Sequence, residues 1–217
     1  MKLWAIVPVK PLHRGKTRLA GVLSEADRYA LNISLLVRTL EVLKASKSIY
    51  QVALISRDPA ALAIGEDCDV EVLREEGEPG LNPALQSAAR QISAAHPDGL
   101  LILPADLPLI QPADINAMAE SATVPPVVVI APDRHGSGTN ALVLRPADQI
   151  EFTFGIGSFA RHCQAARSAG ASLRIADQPA VGLDLDMPED LELLREMEFH
   201  LPGFNLPAIL SIPWRNL

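Results

Sequence analysis

Gly99-Leu100-Leu101-Ile102-Leu103 runs straight into Pro104-Ala105-Asp106-Leu107-Pro108-Leu109, an apolar stretch that stops at a proline-flanked carboxylate. A run with no polar alternation predicts a strand buried on both faces, as in a parallel sheet. Working outward, the same unit recurs. On the amino side, Asn82-Pro83 predicts a cap and first residue of a helix running to Ala95, and Val70-Glu71-Val72-Leu73 and Gln51 to Ser56 read as strands with a helical piece from Pro59. Ser24, with Asp27 three residues on, caps a helix whose apolar face carries Tyr29, Ile33, Leu36, Leu40 and Leu43, and Leu3-Trp4-Ala5-Ile6 opens the chain as a strand. On the carboxyl side follow a helix from Pro112 to Ser121, strands at Val127 to Ile130 and Ala141 to Leu144, and a helix capped by Ser158 running to Ala169. A strand at Ser172 to Ile175 and a helix from Pro188 through Glu198 complete the series. Strands alternating with helices of this length predict an α/β fold, one domain with a largely parallel sheet flanked by helices.

Composition limits the function classes. The chain has 217 residues, 48% of them hydrophobic, and a net charge of −7, so it can bury a sizeable core. An acidic chain without a basic stripe is a poor partner for nucleic acid, which demands neutralisation of many phosphates over a surface. The first apolar run is cut off by Pro8 and Lys10, and no later run is long enough to span a bilayer, so a soluble, cytoplasmic protein is expected. Two cysteines, Cys68 and Cys163, with no paired spacing fit a reducing compartment and a packing role. The segment from Leu201 to Leu217, with Pro202, Pro207 and Pro213, is expected to be an extended arm packed on its own body or on a second subunit, which leaves a homodimer open.

Against the net negative charge, Lys10, Arg14, Lys16 and Arg18 crowd the loop after the first strand. Cations at a strand's carboxyl end point to a phosphate-rich ligand, though a solvated basic loop has the same composition. Asp106 stands after a buried strand, where a carboxylate either ligates a hard cation such as Mg²⁺ or caps the next turn. Asp184 and Asp186, two apart in an extended segment, can face one cation, and Asp186 can instead cap the helix that begins at Pro188. The loop Asp133 to Asn140 offers two glycines and the short side chains of Thr139 and Asn140. In Phe154 to Phe159, Gly155, Gly157 and Ser158 open a helix whose free N–H groups make an anion site. His162, one turn on, has no assigned role. Asn82 is either a plain helix cap or a residue near a nucleoside.

Five motifs in this order resemble the CofC/FbiD family, the 2-phospho-L-lactate or phosphoenolpyruvate guanylyltransferases of coenzyme F-420 biosynthesis. They are Val7-Pro8-Val9-Lys10-Pro11 with Gly15-Lys16-Thr17-Arg18-Leu19, Pro104-Ala105-Asp106-Leu107-Pro108, Gly138-Thr139-Asn140-Ala141-Leu142, Phe154-Gly155 with Gly157-Ser158-Phe159, and Leu183-Asp184-Leu185-Asp186 with Pro188-Glu189-Asp190-Leu191. The resemblance covers about the first 200 residues and leaves 201–217 as an extension outside the pattern. It implies a nucleotide-diphospho-sugar transferase-like (Rossmann-like) fold, GTP as donor, Mg²⁺ as cofactor and a phosphorylated three-carbon acid (phosphoenolpyruvate, 2-phospho-L-lactate or 3-phosphoglycerate) as acceptor. By motif position it assigns Asp106, Asp184 and Asp186 to the metal region, and Thr139, Gly155 and Ser158 to the acid. Lys10, Lys16 and Arg18 would then hold the leaving pyrophosphate. Nucleotidyltransferases acting on molybdopterin or a sugar phosphate, a D-x-D glycosyltransferase and a non-catalytic nucleotide-binding module share parts of this logic. The Pro- and Lys-rich first loop, with Gly15 as its single glycine, distinguishes this chain from the first of these.

Overall fold

A computed structural model describes residues 1–204. Seven strands form one sheet in the order β3-β2-β1-β4-β6-β5-β7. They are β1 (Leu3–Val9), β2 (Ile49–Ser56), β3 (Glu71–Arg74), β4 (Gly99–Ile102), β5 (Val127–Pro132), β6 (Thr139–Arg145) and β7 (Ser172–Ile175). All neighbours are parallel except β6, which is antiparallel to both β4 and β5. The helices are α1 (Glu25–Ala45), α2 (Pro59–Asp67), α3 (Leu81–Ile92), α4 (Pro112–Ser121), α5 (Ser158–Ser168), α6 (Pro179–Gly182) and α7 (Pro188–Glu196).

The period of two in each central strand divides the core into two layers. Leu3, Ala5, Val7 and Val9 of β1 join Leu101, Val129 and Val143 beneath α1, α2 and α4, while Trp4 and Ile6 join Leu100, Ile102, Val128 and Leu142 beneath α3 and α5. A third cluster, Leu19, Leu31, Leu35, Leu185, Leu191 and Leu194, ties α7 to α1 and to the basic loop. Helix α1 is therefore buried along two stripes rather than the one read from Tyr29, Ile33, Leu36, Leu40 and Leu43, and Tyr29 of that reading is exposed. Its start is the expected capping box, with the Asp27 N–H donating to Ser24 Oγ at 3.1 Å.

The strand β1 continues past Ile6 and carries Pro8 inside it. Pairing with β4 stops at Ile6, so Pro8 faces a ladder on the β2 side only, where Ile55 is its partner. A proline costs little on such a half-edge. Three caps differ from the expectation, although α7 begins at Pro188 as read. Gly80, not Asn82, caps α3; Gly157, at φ 72°, not Ser158, caps α5; and Met187, not Asp186, precedes α7. Helix α3 ends at Ile92 and passes into a short 3-10 turn to Ala95. The reversal at β6 matters most for function, because it brings Thr139, at the start of β6, to the same sheet edge as the ends of β1 and β4.

Candidate active site

The end of β1 enters two short 3-10 turns, Leu12–Arg14 and Thr17–Leu19, with Lys16 between them. Lys16 adopts φ 56° and ψ 35°, a left-handed conformation that costs a side chain of its type on the order of 1 kcal/mol or more. That conformation aims the ammonium inward. Lys16 Nζ lies 2.9 Å from Asp186 Oδ1 and 3.3 Å from Asp106 Oδ2, its side chain only 5% exposed. Arg18 adds a second cation 3.6 Å from Asp186. Gly15 has no Cβ to strike Asn32, whose amide donates to the Leu12 carbonyl at 2.7 Å and fixes the first turn.

The acidic side is built from two loops stitched together. Leu185 N–H donates to the Asp106 carbonyl at 2.9 Å, so the segment carrying Asp184 and Asp186 runs alongside the segment after β4. Arg38 of α1 holds the far end of the Asp106 loop through the carbonyls of Pro108 and Ile110, at 2.7 and 3.0 Å. Asn140 donates to the carbonyls of Val181 and Gly182 and to Asp184 Oδ1, at 3.0, 3.1 and 3.4 Å. Asp190, buried, accepts from the N–H groups of Asp186 and Met187 at 2.8 and 2.7 Å and pairs with Arg134 at 2.6 Å. Asp190→Ala is therefore expected to free two backbone donors and leave Arg134 without its partner, lowering unfolding stability by about 3 kcal/mol, checked by urea titration. An unchanged midpoint would deny Asp190 this anchoring role.

The electrostatics separate the carboxylates. Burial alone would pull the Lys16 pKa down, but Asp106 and Asp186 outweigh it and hold the ammonium above its ordinary value. Burial pushes the Asp186 carboxyl up, yet Lys16, Arg18 and Lys10 bring it below its ordinary value. Asp184 goes the other way. Burial and then the neighbouring Asp106 raise it, against the hydrogen bond from Asn140. Asp106 Oδ1 is buried and without a hydrogen-bond partner among the described residues. Asp186 pairs with both Lys16 and Arg18, whereas Asp106 shares only Lys16, through Oδ2, and Asp184 beside it has no cation paired with it among the described residues. No group of three or more His, Cys, Asp or Glu is gathered for a metal among the described residues. A pair of hard oxygen donors suits Mg²⁺, which takes one or two carboxylates together with substrate phosphates. The residues fit that ion with Asp106 and Asp184 as its holders and Asp186 as the anchor of Lys16.

A cleft of about 720 Å³, within the range of small-molecule sites, opens beside Lys16. Lys10, Lys16, Arg18, Asp106 and Asp186 line it, together with Arg57, Glu75, Gly80 and Leu81. Arg57 and Glu75, paired at 2.6 Å, carry no signal in the sequence beyond their charge. Asn82 is not the cap expected of it. Its amide donates to the Phe154 carbonyl at 3.1 Å and accepts the Phe154 N–H at 2.8 Å, bracing the loop before α5.

Across Asn140 and Asp184 lies a second group, Thr139, Ser158 and His162, all buried. Gly155, at φ 119°, and Gly157 shape the loop before it. The start of α5 is less open than its sequence implies, because Ser158 N–H donates to the Gly155 carbonyl at 2.9 Å and Phe159 N–H to the Ser137 carbonyl at 3.2 Å. The Thr139 hydroxyl, which accepts from Ser158 Oγ at 3.2 Å, consequently carries more of any anion binding there. Burial, and then the charge of Arg161, lower the His162 pKa from its ordinary value to about 4. A histidine that must stay neutral when folded, but not when unfolded, costs stability as pH falls from about 6.5 to about 4, on the order of 3 kcal/mol, and nothing above that window. Acid unfolding should show it, with His162→Asn less sensitive than wild type over that interval. Equal sensitivity would contradict a neutral buried imidazole.

The sheet order and helix layers define the nucleotide-diphospho-sugar transferase type of fold. A Desulfovibrio desulfuricans G20 protein provisionally described as such a transferase superposes with TM-score 0.73 at 16% identity, covering 97% of this chain and 94% of that one. The CMP:2-keto-3-deoxy-manno-octonic acid synthetase structure with CTP gives TM-score 0.62 at 12% identity, covering 91% and 98%. Residues 3–201 match the family described as guanylyl transferase CofC like, and the chain belongs to that family. It is 44% identical over 194 residues to the phosphoenolpyruvate guanylyltransferase of Rubrobacter xylanophilus, covering 89% of this chain and 94% of that protein. To the 2-phospho-L-lactate guanylyltransferase of Methanothermobacter thermautotrophicus it is 37% identical over 191 residues, covering 88% and 83%. No helix among the described residues is long and apolar enough to cross a membrane.

Proposed function

We propose that this chain transfers GMP from GTP to a phosphorylated three-carbon acid, with phosphoenolpyruvate first among the acceptors, in a step of coenzyme F-420 biosynthesis. The observation that carries the reading is Lys16 Nζ seated between Asp106 and Asp186 at the rim of a nucleotide-sized cleft. Family membership supports the reaction, and the relatives named for phosphoenolpyruvate and for 2-phospho-L-lactate support the class of acid.

The acceptor's phosphate oxygen attacks the α-phosphorus of GTP, a new P–O–P bond forms, and the bond from the α-phosphorus to the β-phosphate oxygen breaks. Pyrophosphate leaves with that electron pair. No protein nucleophile is required, since the acceptor is already an anion, so the chain supplies alignment and charge. Lys16, Lys10 and Arg18 surround the place where negative charge develops on the leaving group. Thr139, Ser158 and the loop at Gly155 receive the acid, on the far side of Asp184. Asp106 and Asp184 would hold Mg²⁺, which would supply neutralisation of the substrates' phosphate charge. The unpaired cysteines and the nucleotide substrate suit a cytoplasmic setting.

Mass spectrometry of the products from GTP, Mg²⁺ and each acid in turn tests the proposal. A guanylylated acid with matching pyrophosphate is expected, most abundant with phosphoenolpyruvate. Formation of an adduct only with a sugar phosphate would overturn it.

A further inference from the structure

His162 is the one buried imidazole in this part of the protein that the reaction above leaves without a task, and its surroundings assign its proton. The backbone N–H of Thr153 points at Nε2 over 3.1 Å, and a backbone N–H can only donate, so Nε2 carries no hydrogen. The neutral ring therefore bears its hydrogen on Nδ1, which lies 3.0 Å from Thr139 Oγ1. Ser158 Oγ donates to the same Thr139 oxygen at 3.2 Å. A hydroxyl oxygen has two acceptor positions, and both are taken. The Thr139 proton is left to point away from His162 and Ser158, with no other acceptor among the described residues.

We propose that His162 is a positioning residue for the acceptor subsite: by donating from Nδ1 it fixes the Thr139 hydroxyl as a hydrogen-bond donor to the phosphate or carboxylate of the bound acid. The inference rests on the guanylyl-transfer reading and adds to it the residue that sets the polarity of its acceptor pocket. Three further observations support it. The edge of the Phe154 ring sits against the imidazole, with centroids 4.9 Å apart and planes at 69°, which holds the ring's orientation. Thr153 and Phe154 are fixed in turn by His162 and Asn82, so the loop before α5 and the start of β6 are locked to each other through this histidine. Two amides at the start of α5 are already spent internally, so a correctly turned hydroxyl contributes a larger share of the anion's hydrogen bonds. Burial keeps the imidazole neutral across the working pH range, so the orientation does not switch.

The test compares His162→Leu, His162→Asn and Thr139→Val in the full-length enzyme with phosphoenolpyruvate and GTP. His162→Leu is expected to raise KM for the acid by about tenfold or more, the loss of one oriented hydrogen bond to a charged group, with KM for GTP unchanged. Thr139→Val should do the same. Asn keeps an N–H donor near the Nδ1 position, and His162→Asn should recover most of the wild-type KM, which a merely structural role would not produce. Nitrogen-15 NMR of the free wild-type protein should show hydrogen on Nδ1. An Nε2–H tautomer, or equal rises in both KM values, or a normal acid KM in the folded Leu variant, or an acid KM in the Asn variant as high as in the Leu variant would each overturn the inference. A wild type that forms no adduct with any of the acids removes instead the reading on which it rests, so the two failures are distinct.

Discussion

Asp106→Asn is expected to lower kcat by on the order of 10²- to 10³-fold or more while the protein remains folded, the scale seen when one electrostatic stabiliser of a transition state is removed. The side chain keeps its shape, and the loop is held independently by Arg38 and by the Leu185 N–H to the Asp106 carbonyl. What goes is a charge, in a place where Asp106 Oδ1 lacks any partner among the described residues. The repulsion that lifts Asp184 is relieved while the buried Lys16 ammonium loses one of its two carboxylates, so the resting protein is expected to be modestly less stable but folded. A thermal melt with and without Mg²⁺ separates the effects. Wild type should melt higher with the ion, by the mass-action stabilisation of a ligand bound to the folded state, and Asp106→Asn should not. Wild-type turnover by the variant at saturating Mg²⁺ would contradict the role given to this carboxylate.

Lys16→Ala carries the second large expectation, a rise in KM for GTP together with a fall in kcat, because one ammonium serves both triphosphate binding and the departing pyrophosphate. A combined loss of about 10²- to 10³-fold in kcat/KM is the scale for a charged stabiliser in a partly dry site. The KM for the acid should change far less, since Thr139 and Ser158 stand on the other side of Asp184 and Asn140. Lys16→Arg is not expected to rescue. The ammonium sits 5% exposed between two carboxylates, reached through a left-handed backbone, and a planar guanidinium needs more room and other angles. Steady-state kinetics with each substrate varied in turn checks this. A rise confined to the acid's KM would place Lys16 on the wrong substrate.

The parts of this site that were legible in the sequence are those whose chemistry is local. Asp106 follows an apolar strand, Asp184 and Asp186 precede a proline-started helix, and Lys16 sits in a basic loop after a strand; strand ends of a parallel sheet gather at one edge whatever the details of packing. Sequence reading failed where a side chain serves a remote backbone. Asn82 looks like a helix cap because Pro83 follows it, yet its amide goes to Phe154, 72 positions away, and Gly80 takes the cap. Ser158 has the composition of a cap but lies inside the helix, because Gly157 adopts the left-handed conformation needed just before it. His162 bears no local mark at all, since its meaning comes from Thr139 on a strand whose reversed direction is a property of the sheet. Likewise, nothing in the spacing of the acidic motif shows that Asp186 answers to Lys16 and Arg18 while Asp184 answers to Asp106.

The account stands most directly on the fate of the α-phosphorus. With GTP labelled at the α or the γ position, phosphoenolpyruvate and Mg²⁺, the α label is predicted to move into an adduct containing both guanosine and the acid, and the γ label to leave as pyrophosphate. An α label that remains in free GDP or GMP, or a γ label that passes to the acid, would show that the cleft beside Lys16 and Asp106 performs some other chemistry.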